Sequence, residues 1–123
     1  MTPETLLLRQ IHPSFVQAGR VTSQAFRPTP KDQGHLSVDN GDLVQAKAAW
    51  ERYTANGSQS AGVMAVCWSE CDQLELPVIE DGHPYVEHCS IDYSAHISTA
   101  REQKAKLLRS KAQSRGWHWQ NPQ

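Results

Sequence analysis

A chain of 123 residues with 38% hydrophobic content and a net charge of -1 has room for one hydrophobic core and not for two. No apolar run approaches the roughly 20 residues that cross a bilayer, and Glu4 stands where a secretory leader would carry cations, so a soluble, cytoplasmic protein without membrane contact is expected. Three cysteines cannot all pair, which favours reduced thiols over a disulfide framework.

In chain order, Thr5 to Ile11 reads as a first strand, stopped by His12-Pro13 because the residue before proline is pushed out of helical space. Ala18-Gly19 is a turn, and Arg20 to Phe26 alternates as a second strand before the Pro28-Thr29-Pro30 loop. Leu36-Ser37-Val38 is a short third strand. Asn40-Gly41-Asp42 supplies a turn and an N-cap, after which Leu43, Ala46, Trp50 and Tyr53 recur at helical spacing until Gly57. The most continuous apolar run, Ala61 to Trp68, is expected at the centre of the sheet, followed by a helical turn capped by Ser69. Pro77 to Glu80 and Glu87 to Tyr93 read as two more strands around an Asp81-Gly82 turn. Thr99-Ala100-Arg101-Glu102 has the form of a capping box, opening a last helix that Gly116 closes.

Three strands precede the first helix, so strict βαβ alternation is absent and the pattern predicts an α+β fold. The expectation is a mostly antiparallel sheet of about five to six strands with two main helices, over about 42–56 and 99–115. Residues 1–116 form a single domain and 117–123 a C-terminal tail in this reading.

The near-neutral total conceals three blocks: +1 over residues 1–52, -7 over 53–100 and +5 over 101–123. The middle block has no lysine or arginine and holds every cysteine, so Cys67, Cys71, His83 and either His88 or Cys89 have the right chemistry for a zinc site. Their spacing is not that of a structural zinc motif, and Cys67 sits in an apolar run where cysteine behaves as a small hydrophobe, so no metal or other cofactor is assigned. Alternation places His88, Ser90 and Asp92 on one strand face, where a carboxylate could orient an imidazole for general base work, with His12 as a further acid-base candidate.

In the N-terminal third, Arg9, Arg20 and Arg27 are candidates to bind an anion. No phosphate loop, dinucleotide fingerprint or nucleophile elbow accompanies them. On the last helix Arg101, Lys104, Lys111 and Arg115 fall near one stripe, beside an apolar stripe of Ala105, Leu108 and Ala112. With Trp117 and Trp119 they make a candidate partner-binding surface, and the same cations could instead lie over the acidic middle of the chain. The leading expectation is a small soluble accessory or regulatory protein of bacterial type that binds a macromolecule, a protein partner or a second copy before nucleic acid. The alternative is a small enzyme acting on a phosphate-bearing substrate through the Arg and His residues of the N-terminal strands. Clustering of Arg9, His12, Arg20 and His88 around one cleft would favour the enzyme.

Overall fold

The computed structural model describes residues 1–122. It shows an α+β fold: a six-stranded antiparallel sheet, a two-stranded hairpin and three α-helices. The strands are β1 (Leu6–Ile11), β2 (Val16–Gln17), β3 (Arg20–Val21), β4 (His35–Asn40), β5 (Gly62–Cys67), β6 (Val78–Ile79), β7 (His88–Asp92) and β8 (Trp119–Gln120). The helices are α1 (Ala46–Ala55), α2 (Trp68–Gln73) and α3 (Ser98–Arg115). The large sheet runs β6-β7-β4-β1-β5-β8, and β2 pairs with β3 across Ala18-Gly19, both at positive φ as a tight two-residue hairpin turn needs.

Side-chain alternation divides the sheet into two faces. Leu7, Ile11, Leu36, Val38, Met64, Val66, Cys89 and Ile91 point to one face, where Ala105, Leu108 and Ala112 of α3 meet them together with Phe26, Cys71 and Leu76. The predicted apolar stripe of α3 is therefore the stripe that packs. On the other face Leu8, Val63 and Ala65 meet Val44, Ala46 and Trp50 of α1 and its approach, with Trp119 beside them.

Several local expectations change for identifiable reasons. Of the expected second strand only Arg20–Val21 pairs as a strand, and Ser23–Phe26 is a 3-10 turn. Ala25 and Phe26 are both fully buried, and consecutive strand residues point to opposite faces, so only a helical turn can deliver both to one core. The helix expected from Asp42 begins at Ala46, because the Asp42 carboxylate accepts from Thr5 Oγ1 at 2.6 Å and its N–H donates to Asn40 Oδ1. Cys67, not Ser69, caps α2, through a capping box with Glu70. The expected box at Thr99 is absent: α3 starts at Ser98 after Ile97 without a side-chain cap, and Arg27 and Lys106 engage Glu102 instead. β5 is buried at every position yet stands next to the edge strand; its unbroken apolar run reflects helices on both faces, not a central place in the order. Of the expected tail, Trp119–Gln120 joins β5 as the outermost strand and Trp117 packs on the core, while Gln123 lies outside the described residues.

Leu108 of α3 is fully buried in the core shared with the sheet. Leu108→Ala is expected to lower the unfolding free energy by about 2–5 kcal/mol, measured by urea denaturation at neutral pH.

Candidate functional site

The basic helix serves first to hold the fold. Arg115 forms a two-pronged pair with Glu70 of α2, at 2.8 and 3.1 Å. Lys104 Nζ donates to Leu74 O at 2.7 Å, and Arg101 Nε donates to His96 O at 2.7 Å. Three of the four cations assigned to a partner thus bind their own chain, all of them within the acidic block of residues 53–100, and Lys111 stays exposed. The two tryptophans are also committed. Trp117 packs on the core and against Gly62, and Trp119 lies 6.0 Å from the Trp50 ring with Lys47 Nζ 5.3 Å from its own ring.

What α3 does offer is a groove between its middle turns and the segment after β3. The groove encloses about 440 Å³; Arg20, Lys106 and Arg109 supply cations, and Thr22, Ser23 and Ser110 supply hydroxyls. Among the described residues no carboxylate lines it. Arg109 Nε is fixed on Val21 O at 2.8 Å, Lys106 holds only a loose contact of 3.7 Å to Glu102, and the Thr22 hydroxyl is buried without a hydrogen-bond partner. Further along, Arg27, His96 and Arg101 surround a wider hollow of about 780 Å³ that includes Phe15 and Ile97. Of these residues, the anion reading of the sequence had named Arg20 and Arg27. Lys106 and Arg109 were missed because they fall off the stripe drawn through the other cations, and only the fold shows that Arg20 comes to face them.

The remaining N-terminal candidates go elsewhere. Arg9 lies on the core face and donates to Ala25 O at 2.8 Å and Ser37 O at 3.0 Å. His12 Nδ1 accepts from Ser14 N–H at 3.0 Å and so caps the turn after β1. Arg9, His12, Arg20 and His88 do not share a cleft.

A second hollow lies on the opposite sheet face, where α1 stops short of β4 and β7. It encloses about 270 Å³ over a floor that includes Gln10, Ser37, Asp39 and His88, with Tyr53 of α1 and Tyr85 at its rim. The expected row of His88, Ser90 and Asp92 does share this face, but the carboxylate that orients His88 is Asp81, 2.6 Å from Nδ1 and also bound by Ser90 Oγ at 2.7 Å. Burial opposes ionisation of Asp81, yet the hydrogen bonds from His88 and Ser90 prevail and hold its carboxyl below the ordinary range. Asp92 is engaged by His35 at 3.5 Å and by the Ser94 N–H at 2.8 Å. Among the described residues the side chain of Asp39, opposite His88 across the ladder, makes no hydrogen bond or ion pair, and burial, only partly offset by the nearby Arg52 and His88, pushes its carboxyl above the ordinary range.

The four metal candidates do not converge. Cys71 is fully buried, its thiol pushed up to about 12 by burial, and Cys67 and His88 sit on strands three places apart, a separation of about 14 Å. Among the described residues no group of three or more His, Cys, Asp or Glu could hold a metal ion. Among the described residues no helix is long and apolar enough to cross a membrane. Comparison with known protein families, curated proteins and solved structures finds no match to this chain.

The Glu70–Arg115 pair makes a pH-dependent contribution. Burial alone would raise the Glu70 pKa, but the bonds from Arg115 and the Cys67 N–H outweigh it and lower the pKa in the folded state. Its stabilisation is therefore complete above the unfolded value near 4.3 and disappears as pH falls through the lower folded value. Glu70→Gln is expected to cost about 0.5–1.5 kcal/mol at pH 7, with the gap to wild type narrowing as pH falls below the unfolded value near 4.3 in urea titrations.

Proposed function

We propose that this protein is a small accessory or regulatory module that docks an acidic segment of a protein partner in the groove between α3 and the segment after β3. The observation that carries this reading is the convergence of Arg20, Lys106 and Arg109 with the unpartnered Thr22 hydroxyl in a groove free of carboxylates. Guanidinium and hydroxyl donors that lack acceptors of their own are suited to carboxylates, which take two N–H donors side by side.

Protein is favoured over nucleic acid by what surrounds the groove. The tryptophans expected to stack on bases are packed, and a sequence pI near 6.6 lacks the strongly basic character of a phosphate-tracking surface. Leu107 is 51% exposed next to Lys106, and Ile97 is 74% exposed beside the Arg27 and Arg101 hollow. Apolar side chains alternating with cations fit a segment that mixes acidic and apolar residues. The enzyme alternative is less favoured because Arg9, His12, Arg20 and His88 lie at separate places.

The charge-reversal pair Arg20→Glu and Lys106→Glu tests the reading. Both side chains are exposed, so the fold is expected to persist. Binding of short peptides that alternate acidic and apolar residues, followed by fluorescence anisotropy, should weaken at least about tenfold in the double variant and lose most of its salt dependence. Lys47→Glu, on the far side of the sheet, should leave binding unchanged. Tighter binding of a single-stranded oligonucleotide than of every peptide would overturn the protein reading, and concentration-dependent dimers abolished by the same reversal would replace the separate partner with a second copy.

A further inference from the structure

The hollow between α1 and the polar half of the sheet is separate from the docking groove and has its own chemistry. Strand pairing sets Leu8 opposite Asp39 and Asp39 opposite His88, so a row of three side chains crosses β1, β4 and β7 on this face. Gln10 lies two residues beyond Leu8 on β1, which places it diagonal to Asp39 with about 7–8 Å between the strand positions.

One group in this floor lacks the partner that burial demands, and a second, half-buried, has acceptor capacity to spare. The half-buried Asp39 carboxylate accepts no side-chain hydrogen bond, with Arg52 and His88 acting on it only through space, and Gln10, whose Oε1 accepts from Ser60 Oγ at 2.8 Å, has its Nε2 buried with no acceptor. A buried donor left without an acceptor is a standing cost of about 1–3 kcal/mol. His88 adds a third group: with Nδ1 held by Asp81, its Nε2 is the ring nitrogen left for a ligand. The rim is aromatic. Tyr85 carries the Arg52 guanidinium 3.7 Å over its ring and accepts from Asn56 Nδ2 at 3.2 Å, while Tyr53 is 40% exposed on the α1 side. The charge of Arg52 is already matched by Glu87, and the Asp39 carboxylate beside it disfavours a phosphate.

From these features we infer that the hollow is a binding site for one planar heterocycle presenting an N–H donor beside a carbonyl or ring-nitrogen acceptor, the edge offered by a nucleobase or another cyclic amide. The donor edge meets Asp39, the acceptor edge completes Gln10, and the ring lies along Tyr53 and Tyr85. A volume near 270 Å³, below that of drug-sized pockets, suits a single ring system. The ring could belong to a free nucleoside or to an unpaired base of a nucleic acid, and both would offer this edge.

Backbone-amide NMR of the whole chain, titrated with guanosine, uridine, adenosine and cytidine to about 10 mM, tests the site. At least one nucleoside is expected to shift the amides of residues 37–39 and 88, saturably, and benzylammonium, a cation with the same apolar bulk but no paired edge, is not. Asp39→Asn, which replaces an acceptor with a mixed donor, should weaken that binding at least about tenfold while raising the thermal midpoint by about 1–3 °C, since it relieves an unpaired carboxylate. Tyr53→Ala, at an exposed position, should weaken it as well, and Arg20→Glu should not. A short oligonucleotide shifting the same amides at lower concentration than its nucleoside would assign the ring to a nucleic acid. No saturable shift with any nucleoside, or equal binding by benzylammonium, would overturn the inference, and both outcomes are independent of peptide docking at the α3 groove.

Discussion

Unequal helix cover on the two faces of one sheet is the constraint from which the rest of this molecule follows. α3, with 18 residues, is about 27 Å long, and α1, with 10, only about 15 Å, whereas six strands span about 24 Å. α3 closes one face together with α2 and the Ser23–Phe26 turn, whereas the shorter α1 covers the other face beside β5 and β8. β5 accordingly carries apolar residues on both sides, while β4 and β7 alternate Leu36, Val38, Cys89 and Ile91 toward the core with His35, Ser37, Asp39, His88 and Ser90 away from it. Polar side chains gather on that half-sheet because no helix shields it, and a recess forms where α1 and the segment around Tyr85 overhang it.

Long cations are used in this chain chiefly as ties to backbone carbonyls. Arg9 reaches Ala25 O and Ser37 O, Arg101 reaches His96 O, Lys104 reaches Leu74 O and Arg109 reaches Val21 O. Each acceptor but Ser37 O and Val21 O belongs to a connection or a 3-10 turn, where carbonyl groups lack the ladder partners that strands and helices provide. A protein with this much irregular backbone needs such donors, and a guanidinium supplies several from one side chain. Charge counting cannot distinguish these tethers from cations that face solvent. That is why Arg101, Lys104 and Arg115 looked like a docking stripe, and why the groove is formed by Arg20, Lys106 and Arg109.

Much of the fold was legible in local pattern. The α+β class, the antiparallel sheet, the turn at Ala18-Gly19, the stop at Gly116 and the buried stripe of α3 all follow from periodicity and backbone preference, which act over a few residues. The failures have a common physical origin in long-range competition. Asp42 did not cap α1 because Thr5, distant in sequence, holds its carboxylate, and Glu102 did not complete a capping box because Arg27 engages it. Arg20 to Phe26 alternates like a strand, but the core required Ala25 and Phe26 side by side. The candidate sites were legible in part: alternation correctly grouped His88, Ser90 and Asp92, whereas the partner of His88 came from Asp81 across a turn, and Asp39 and Gln10 acquired significance only through strand register.

The outer edge of β5 shows what the last turns of the chain do for solubility. An apolar strand buried on both faces would, with its edge bare, present free carbonyl groups to any other extended chain. Here β8 pairs with Gly62 and Val63, and beyond it Arg115 Nη1 donates to Ala65 O at 3.3 Å. A two-residue strand and one guanidinium together close a border that would otherwise template sheet-to-sheet assembly, so the tryptophan-rich end of the sequence and the last cation of α3 act as a guard against self-polymerisation.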